Sequence, residues 1–465
     1  MGRCTGRKAV GMVRPLFNQG PAASGPPAET SLGPDARVLM VAADDDLAGP
    51  LCEGLDGLGW RTVTARGLNA GDRAVSDLSL DAAVVDLSHP QAAQAAASLK
   101  TAAGPRSLPV IGLGDGDPPG FDLVMRGPAH PAQTALRLEQ LVRAAIAEEE
   151  LAIRRATFAA RGAELELTAP SDEPLRVLAA GAPDRRFLAL SNALAEAGAE
   201  TVAAPTPYTA FDYLHEAPFD AVVLWGAQDH AQALSIAAGM RRNTRLFHIP
   251  AVLYLRDAAE LNLAEIYNRG VADVAAPGVS EAETAHRVLA LAAAFRRQQA
   301  VRRALENARG SGLMDPSTGL FTRELFAAHL KRIAEAARVR RRPLSVCVLR
   351  VAEGADLAEA RAGGWLDRAM PQIGAMVSRL VRAEDTAARL APDVFALALP
   401  AARVEQARLA ARRIAAVIGC TAFDAGKDRA PFVVEFELGA AEVSPDEPPS
   451  AALDRAAADL TRQPA

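Results

Sequence analysis

The sequence predicts an α/β fold class, with two doubly wound units in series and a third α/β domain behind them. Three observations carry this. A chain of 465 residues is too long for one core and, at roughly 150 residues per domain, suggests about three. Short apolar runs alternate with alanine-rich helical stretches, the pattern of a parallel sheet covered by helices on both faces. The order and spacing of those runs then repeat once, an internal duplication of domain size.

Taken in order, "RVLMVAA" (37–43), "RTVTA" (61–65), "DAAVVDLSHP" (81–90), "LPVIGLG" (108–114) and "GFDLVMRGP" (120–128) are the strands of the first unit, residues 36–150. The second unit, residues 174–298, repeats them as "LRVLAAG" (175–181), "FDAVVLWG" (219–226), "IPAVLYL" (249–255) and "GVADVAAPG" (270–278). A helical stretch from Glu281 to Ala308 follows, with Val301, Leu305 and Ala308 on one face, and it ends at "GSG", 310–312. It reads as a last domain helix with a linker helix (299–312), or as a helix that pairs across a dimer. The third unit, 313–465, opens with "MDPSTGLFTRELF" (314–326), a turn into a helix. Its strands are "LSVCVLRVA" (344–352), "VFALALP" (394–400) and "FVVEFELG" (432–439), with a long alanine and arginine helix at 402–418. "VFALALP" is apolar on both faces and so predicts a buried central strand.

Composition narrows the function classes. Half the residues are apolar and 23% are charged, an ordinary globular balance, and the net charge of −5 offers no basic field for nucleic acid. Cys4, Cys52, Cys347 and Cys420 form no CxxC pair, so neither zinc nor a disulfide framework is expected and a reducing cytoplasm fits. The longest apolar runs, such as "VLALAAAF" (288–295), fall short of the roughly 20 residues of a spanning helix, so no membrane insertion is expected. Residues 1–35, basic and then rich in Gly, Pro and Ala, are expected to be a disordered tail or to precede the true start.

Functional groups of a doubly wound sheet gather at the carboxyl ends of its strands, and Asp86 ends "AAVVD". "DAAVVDLSHP" resembles the third strand and following loop of a response-regulator receiver domain, which makes Asp86 the candidate phosphoacceptor. The rest of that pocket departs from the family. The acidic pair after the first strand reads Ala42-Ala43, followed by Asp44, Asp45 and Asp46 as possible Mg²⁺ ligands; the hydroxyl residue reads Gly114; and the lysine before Pro128 reads Gly127, beside Arg126. In the second copy, Trp225 stands at the acceptor position and Ala276 at the lysine, so this unit resembles a pseudo-receiver expected to pack against a partner or its own symmetry mate.

"DPSTGLFTRELF" resembles the opening of GGDEF domains, the diguanylate cyclase fold. In that family an Arg-x-x-Asp inhibitory site precedes the signature turn, and here Arg382-Ala-Glu-Asp385 precedes Ala391-Pro392-Asp393-Val394-Phe395 at that spacing. The turn has lost both glycines. Ala391 adds a Cβ, and Pro392 fixes φ and removes an N–H donor. By the same register Arg350 replaces the metal-ligand aspartate, Ala358 replaces the guanine-contacting asparagine, and Asp367 matches its companion. One carboxylate, Asp393, beside an arginine does not hold a metal for phosphoryl transfer, so the degenerate site of Arg350, Ala391, Pro392, Asp393, Val394 and Phe395 is expected to be inactive. Arg382 and Asp385 still suit guanine and phosphate groups, and the resemblance adds Arg413, with Arg412 as the alternative.

The whole therefore resembles the PleD/PopA-like response regulators, with two flavodoxin-like receiver domains in tandem followed by a GGDEF, nucleotide-cyclase-like domain. That resemblance implies a cyclic-di-GMP effector without cofactor or cyclase activity, a homodimer through its receiver domains. It further implies recruitment of protein partners, among them proteolytic adaptors, at a cell pole during the cell cycle. The alternatives are a ligand-independent scaffold and a phosphorelay regulator controlled at Asp86.

Overall fold

The computed structural model describes residues 36–462 except 117, 126–128, 166–172, 227–229, 244, 256–265, 267–270, 276, 308–311 and 427–428. The expected tail at 1–35 lies outside these residues, as do Arg126, Gly127 and Ala276. The chain divides into two compact units, one built on Glu173–Phe295 and the other on Pro27–Asp172 with Arg296–Ala465.

The first domain contains β1 (Arg37–Val41), α1 (Asp45–Gly57), β2 (Arg61–Ala65), α2 (Leu68–Asp77), β3 (Ala82–Asp86), α3 (Ala92–Ala102), β4 (Val110–Leu113), β5 (Leu123–Met125) and α4 (Pro131–Ala159). Its sheet is parallel throughout, in the flavodoxin-like order β2-β1-β3-β4-β5. All five residues of β3 are buried, as a central strand covered on both faces requires. Trp60 is buried in the layer under α1 and α4.

Helix α4 does not stop at the expected boundary of 150. It runs 29 residues to Ala159, and Val142, Ile146, Glu150, Arg154 and Phe158, four apart, are all buried. The apolar stripe that packs on the first sheet thus continues into the third domain, where Phe158 meets Phe321 edge to face at 5.7 Å. Burying such a phenylalanine is worth roughly 1.5–3 kcal/mol.

The other unit repeats the architecture: β6 (Leu175–Ala180), α5 (Arg185–Glu196), β7 (Ala199–Ala204), α6 (Pro207–Glu216), β8 (Ala221–Gly226), α7 (His230–Arg242), β9 (Ala251–Leu255) and β10 (Val271–Ala275). Its parallel order, β10-β9-β8-β6-β7, is the same winding. α8 (Glu281–Asn307) follows as one continuous helix.

The third domain contains β11 (Phe321–Thr322), α9 (Arg323–Arg340), β12 (Leu344–Val351), α10 (Ala355–Ala362), α11 (Trp365–Leu380), β13 (Thr386–Ala391), β14 (Val394–Pro400), α12 (Val404–Gly419), β15 (Phe436–Glu442), α13 (Pro449–Ala458) and β16 (Thr461–Arg462). The sheet order is β11-β13-β14-β12-β15-β16, with β12 antiparallel to both neighbours. β14 is the buried central strand that its two apolar faces predicted. The strand expected over 432–439 begins only at Phe436, because Phe432 pairs instead with Phe423 in an isolated bridge. α11 lies close over the opening turn: a Cβ on Gly374 would overlap the backbone of Thr318, so only glycine fits.

Candidate functional site

β13 and β14 form a tight hairpin in which Ala391 pairs with Val394 and Pro392-Asp393 make the turn. None of these residues has a positive φ; among the described non-glycine residues only Arg341 and Ala401 do. The turn is thus an ordinary one that proline suits, without the left-handed conformation that glycines allow. Asp393 Oδ2 accepts a hydrogen bond from Arg361 at 3.0 Å, and Arg389 donates to the Pro392 carbonyl at 2.8 Å.

Arg350, on β12, lies opposite Val394 on one side and Glu437 on the other. Its Nε and Nη2 donate to Glu437 Oε2 at 3.0 and 2.6 Å. The mouth of the turn therefore carries two paired arginines beside its one carboxylate. Among the described residues no group of three or more His, Cys, Asp or Glu side chains is placed to hold a metal. Ala358 on α10 and Asp367 on α11 are both exposed.

The Arg382–Asp385 segment links α11 to β13 and closes on itself. The Asp385 amide donates to the Arg382 carbonyl at 3.2 Å, and the Arg382 amide donates to Asp385 Oδ2 at 3.0 Å. Asp385 is only 6% exposed, and its Oδ1 is buried without a hydrogen-bond partner. Burial, and after it the charge of Glu384, pushes the Asp385 carboxyl from 3.8 up to about 6, against the pull of Arg382 and Arg143. Arg413, on α12, donates to the Leu380 carbonyl at 3.0 Å. Desolvation and then the like charge of Arg382 lower its pKa, while Asp385 raises it. Arg382, Asp385 and Arg413 are thus within electrostatic reach of one another.

Sequence reasoning missed the groups behind this turn, which come from α4 and, for His329, from α9. Arg154 donates to the carbonyls of Ala383 at 2.8 Å and Asp385 at 2.7 Å, and to Thr386 Oγ1 at 3.1 Å. Glu150 holds Arg154 at 3.2 Å and meets His329 Nε2 at 2.5 Å, while Thr157 Oγ1 meets His329 Nδ1 at 3.0 Å. Arg143 pairs with Glu384 at 3.1 Å. The available signal was the four-residue spacing of Glu150 and Arg154 along the apolar stripe of α4.

In the first domain, Asp86 ends β3 and is 7% exposed. Its oxygens accept from the Ser88 amide at 2.9 Å and the Ser88 hydroxyl at 2.6 Å. Asp44 is engaged as the N-cap of α1, accepting from the Asp46 amide at 3.0 Å, and Gly114 follows β4 with φ 125°. In the other unit Trp225 is interior: it stacks on Tyr254 at 4.2 Å and meets Phe187 edge-on at 5.7 Å. Gly181 makes room for it, since a Cβ there would come within 2.6 Å of the Trp225 Cβ.

Residues 312–463 match the family model described as diguanylate cyclase, GGDEF domain. Among solved structures, the chain is similar to the GGDEF domain of FimX from Pseudomonas aeruginosa, with 20% identity over 32% of this chain and 90% of that one and a TM-score of 0.29. It is also similar to the GGDEF domain of DgcB from Caulobacter crescentus in complex with c-di-GMP, with 19% identity over 32% and 84% and a TM-score of 0.29. A third is the diguanylate cyclase SiaD in complex with its activator SiaC from Pseudomonas aeruginosa, with 22% identity over 38% and 68% and a TM-score of 0.31. No curated protein matches the chain. Joined to a sheet in which β12 stands between β14 and β15, the family match identifies residues 312–463 as a GGDEF domain.

Proposed function

We propose that this GGDEF domain binds cyclic-di-GMP without making it, in a PleD/PopA-like regulator whose two flavodoxin-like domains are receiver-like. The observation that carries this reading is the contrast between two places on one domain. At the signature turn, Arg350 and Arg361 hold the carboxylates Glu437 and Asp393. At the Arg-x-x-Asp segment, Asp385 keeps an unpartnered oxygen beside Arg382 and within reach of Arg413.

Chemically, a guanidinium can bond to guanine O6 and N7 or to phosphate oxygens, and a carboxylate can accept from guanine N1–H and the amino group. A metal-dependent cyclase instead needs Mg²⁺ to bridge and neutralise phosphates, and a paired arginine at the ligand position opposes that. Occupancy then acts through partners that distinguish the two states. By resemblance those partners are proteins recruited at a cell pole in cell-cycle proteolysis, with a homodimer formed through the receiver-like domains.

Calorimetric titration with cyclic-di-GMP tests the reading. Losing one charged hydrogen-bonding partner costs about 1.5–3 kcal/mol, so Arg382→Ala should weaken binding roughly ten- to hundred-fold. Asp393→Ala should change it little. Equal affinity for wild type and Arg382→Ala/Asp385→Ala would leave a ligand-independent scaffold. With GTP and Mg²⁺ the protein should yield no cyclic-di-GMP, and Ala391→Gly/Pro392→Gly should not restore synthesis, because Arg350 remains.

A further inference from the structure

Helix α9 ends in "RVRRRP", Arg338 to Pro343, and it ends in an unusual way. The Arg342 amide donates to the Ala337 carbonyl at 3.0 Å and the Arg341 amide to the Arg338 carbonyl at 3.2 Å, the paired bonds of a Schellman cap. The residue after the cap in that motif is ordinarily glycine, because it must be left-handed. Here it is Arg341, at φ 52° and ψ 40°. Strained backbone of this kind gathers at functional sites, and Arg341 faces a cavity.

That cavity, about 240 Å³, lies within one compact unit, between the first domain and the GGDEF domain. Six arginines line it: Arg37, Arg106, Arg340, Arg341, Arg342 and Arg403. A helix dipole draws cations to a C-terminus, which accounts for Arg340. It does not account for Arg37 on β1, Arg106 after α3, or Arg403 before α12. Nor do the carboxylates balance them. Asp81 is the acid of the lining, Glu149 pairs with Arg340 and Arg342 at 3.3 and 2.7 Å, and Glu442 pairs with Arg403 at 3.3 Å, which leaves an excess of three positive charges. Arg106 is spent on the carbonyls of Val75 and Leu78, at 2.5 and 2.9 Å. Among the described residues, the side chains of Arg37 and Arg341 make no hydrogen bond or ion pair, although the charge of Arg37 acts on Asp81.

We infer that this cavity is a binding site for a short polyphosphate, of diphosphate or triphosphate length, held by Arg341 and Arg37 and steered by the surrounding arginines. Guanidinium forks match phosphate oxygens, and several converging on one small space favour a dense anion over a single carboxylate. The volume is below the 300–1,000 Å³ common for drug-sized ligands, so a phosphate chain fits where a whole nucleotide would protrude. Burial and then the like charges of Arg341 and Arg342 lower the Arg106 pKa, a repulsion that a bound anion would relieve. The site is separate from the Arg-x-x-Asp segment and independent of the cyclase reading.

The test is titration of the full-length protein with inorganic triphosphate, with GTP and ATP as parallel arms. Saturable binding that weakens with added salt is expected. Arg341→Gly should reduce it about ten-fold or more, and Arg341→Gly/Arg37→Gln further, while Arg341→Lys retains part of it. Glycine is the natural occupant of a left-handed cap, so the first variant removes the guanidinium without endangering the fold. Arg382→Ala should leave triphosphate binding unchanged. Tighter binding of GTP or ATP than of triphosphate would assign the chain to a nucleotide, and equal binding to the free anion. No saturation by about 1 mM, affinity unchanged in Arg341→Gly, or loss in Arg382→Ala would each overturn the inference.

Discussion

Asp385 and Arg154 meet at one turn with opposite consequences. The folded chain holds the Asp385 proton more tightly than the unfolded chain, since its carboxyl is raised from 3.8 to about 6. Its contribution to stability is therefore complete below the lower value and is lost as pH rises through the higher one. Denaturation of Asp385→Asn should accordingly gain on wild type between these two values and run parallel above them. On the proposed reading cyclic-di-GMP needs the ionised carboxylate as acceptor, so its binding should tighten over the same window. Arg154 is 1% exposed and paired with Glu150, itself 2% exposed. Removing one partner of such a pair strands the other charge, so Arg154→Met should cost about 3–5 kcal/mol by urea titration.

Among the elements, α11 and α9 offer contrary substitutions. Gly374→Ala would drive a methyl group into the Thr318 backbone and should destabilise by about 1–3 kcal/mol, seen as a lower denaturant midpoint at unchanged slope. Arg341→Gly removes a left-handed arginine and should be neutral or up to about 1 kcal/mol stabilising. Most strands were legible in the sequence because period and length agree: "AAVVD" and "VFALALP" are short, apolar and bounded by turn residues. The continuation of α4 past the domain boundary at 150 was not legible, for a physical reason. Glu150 and Arg154 occupy apolar-face positions, so a pattern that counts only hydrophobic residues breaks there, although the two charges are buried against each other. Arg382 and Asp385 were singled out by their fixed spacing to the turn. Their dependence on Arg143, Arg154 and Glu384 was not, because those contacts span more than 200 residues or are set by backbone direction.

Across the molecule, α4 ties the first domain to the Arg-x-x-Asp segment through Arg143 and Arg154. On the proposed binding, cyclic-di-GMP should therefore slow amide exchange in α4 as well as in residues 382–386, and protection confined to the GGDEF domain would argue against that tie. The chain also carries three tryptophans, and each domain has one. Trp60 is buried in the first and Trp225 is stacked on Tyr254 in the second, while Trp365 of the GGDEF domain lies under the Arg429 guanidinium at 4.3 Å. Replacing any two with phenylalanine leaves a single emitter whose wavelength and quenching report one domain alone. The protein thus holds a private optical channel for each of its three parts, through which their unfolding and ligand response can be followed separately without an attached dye.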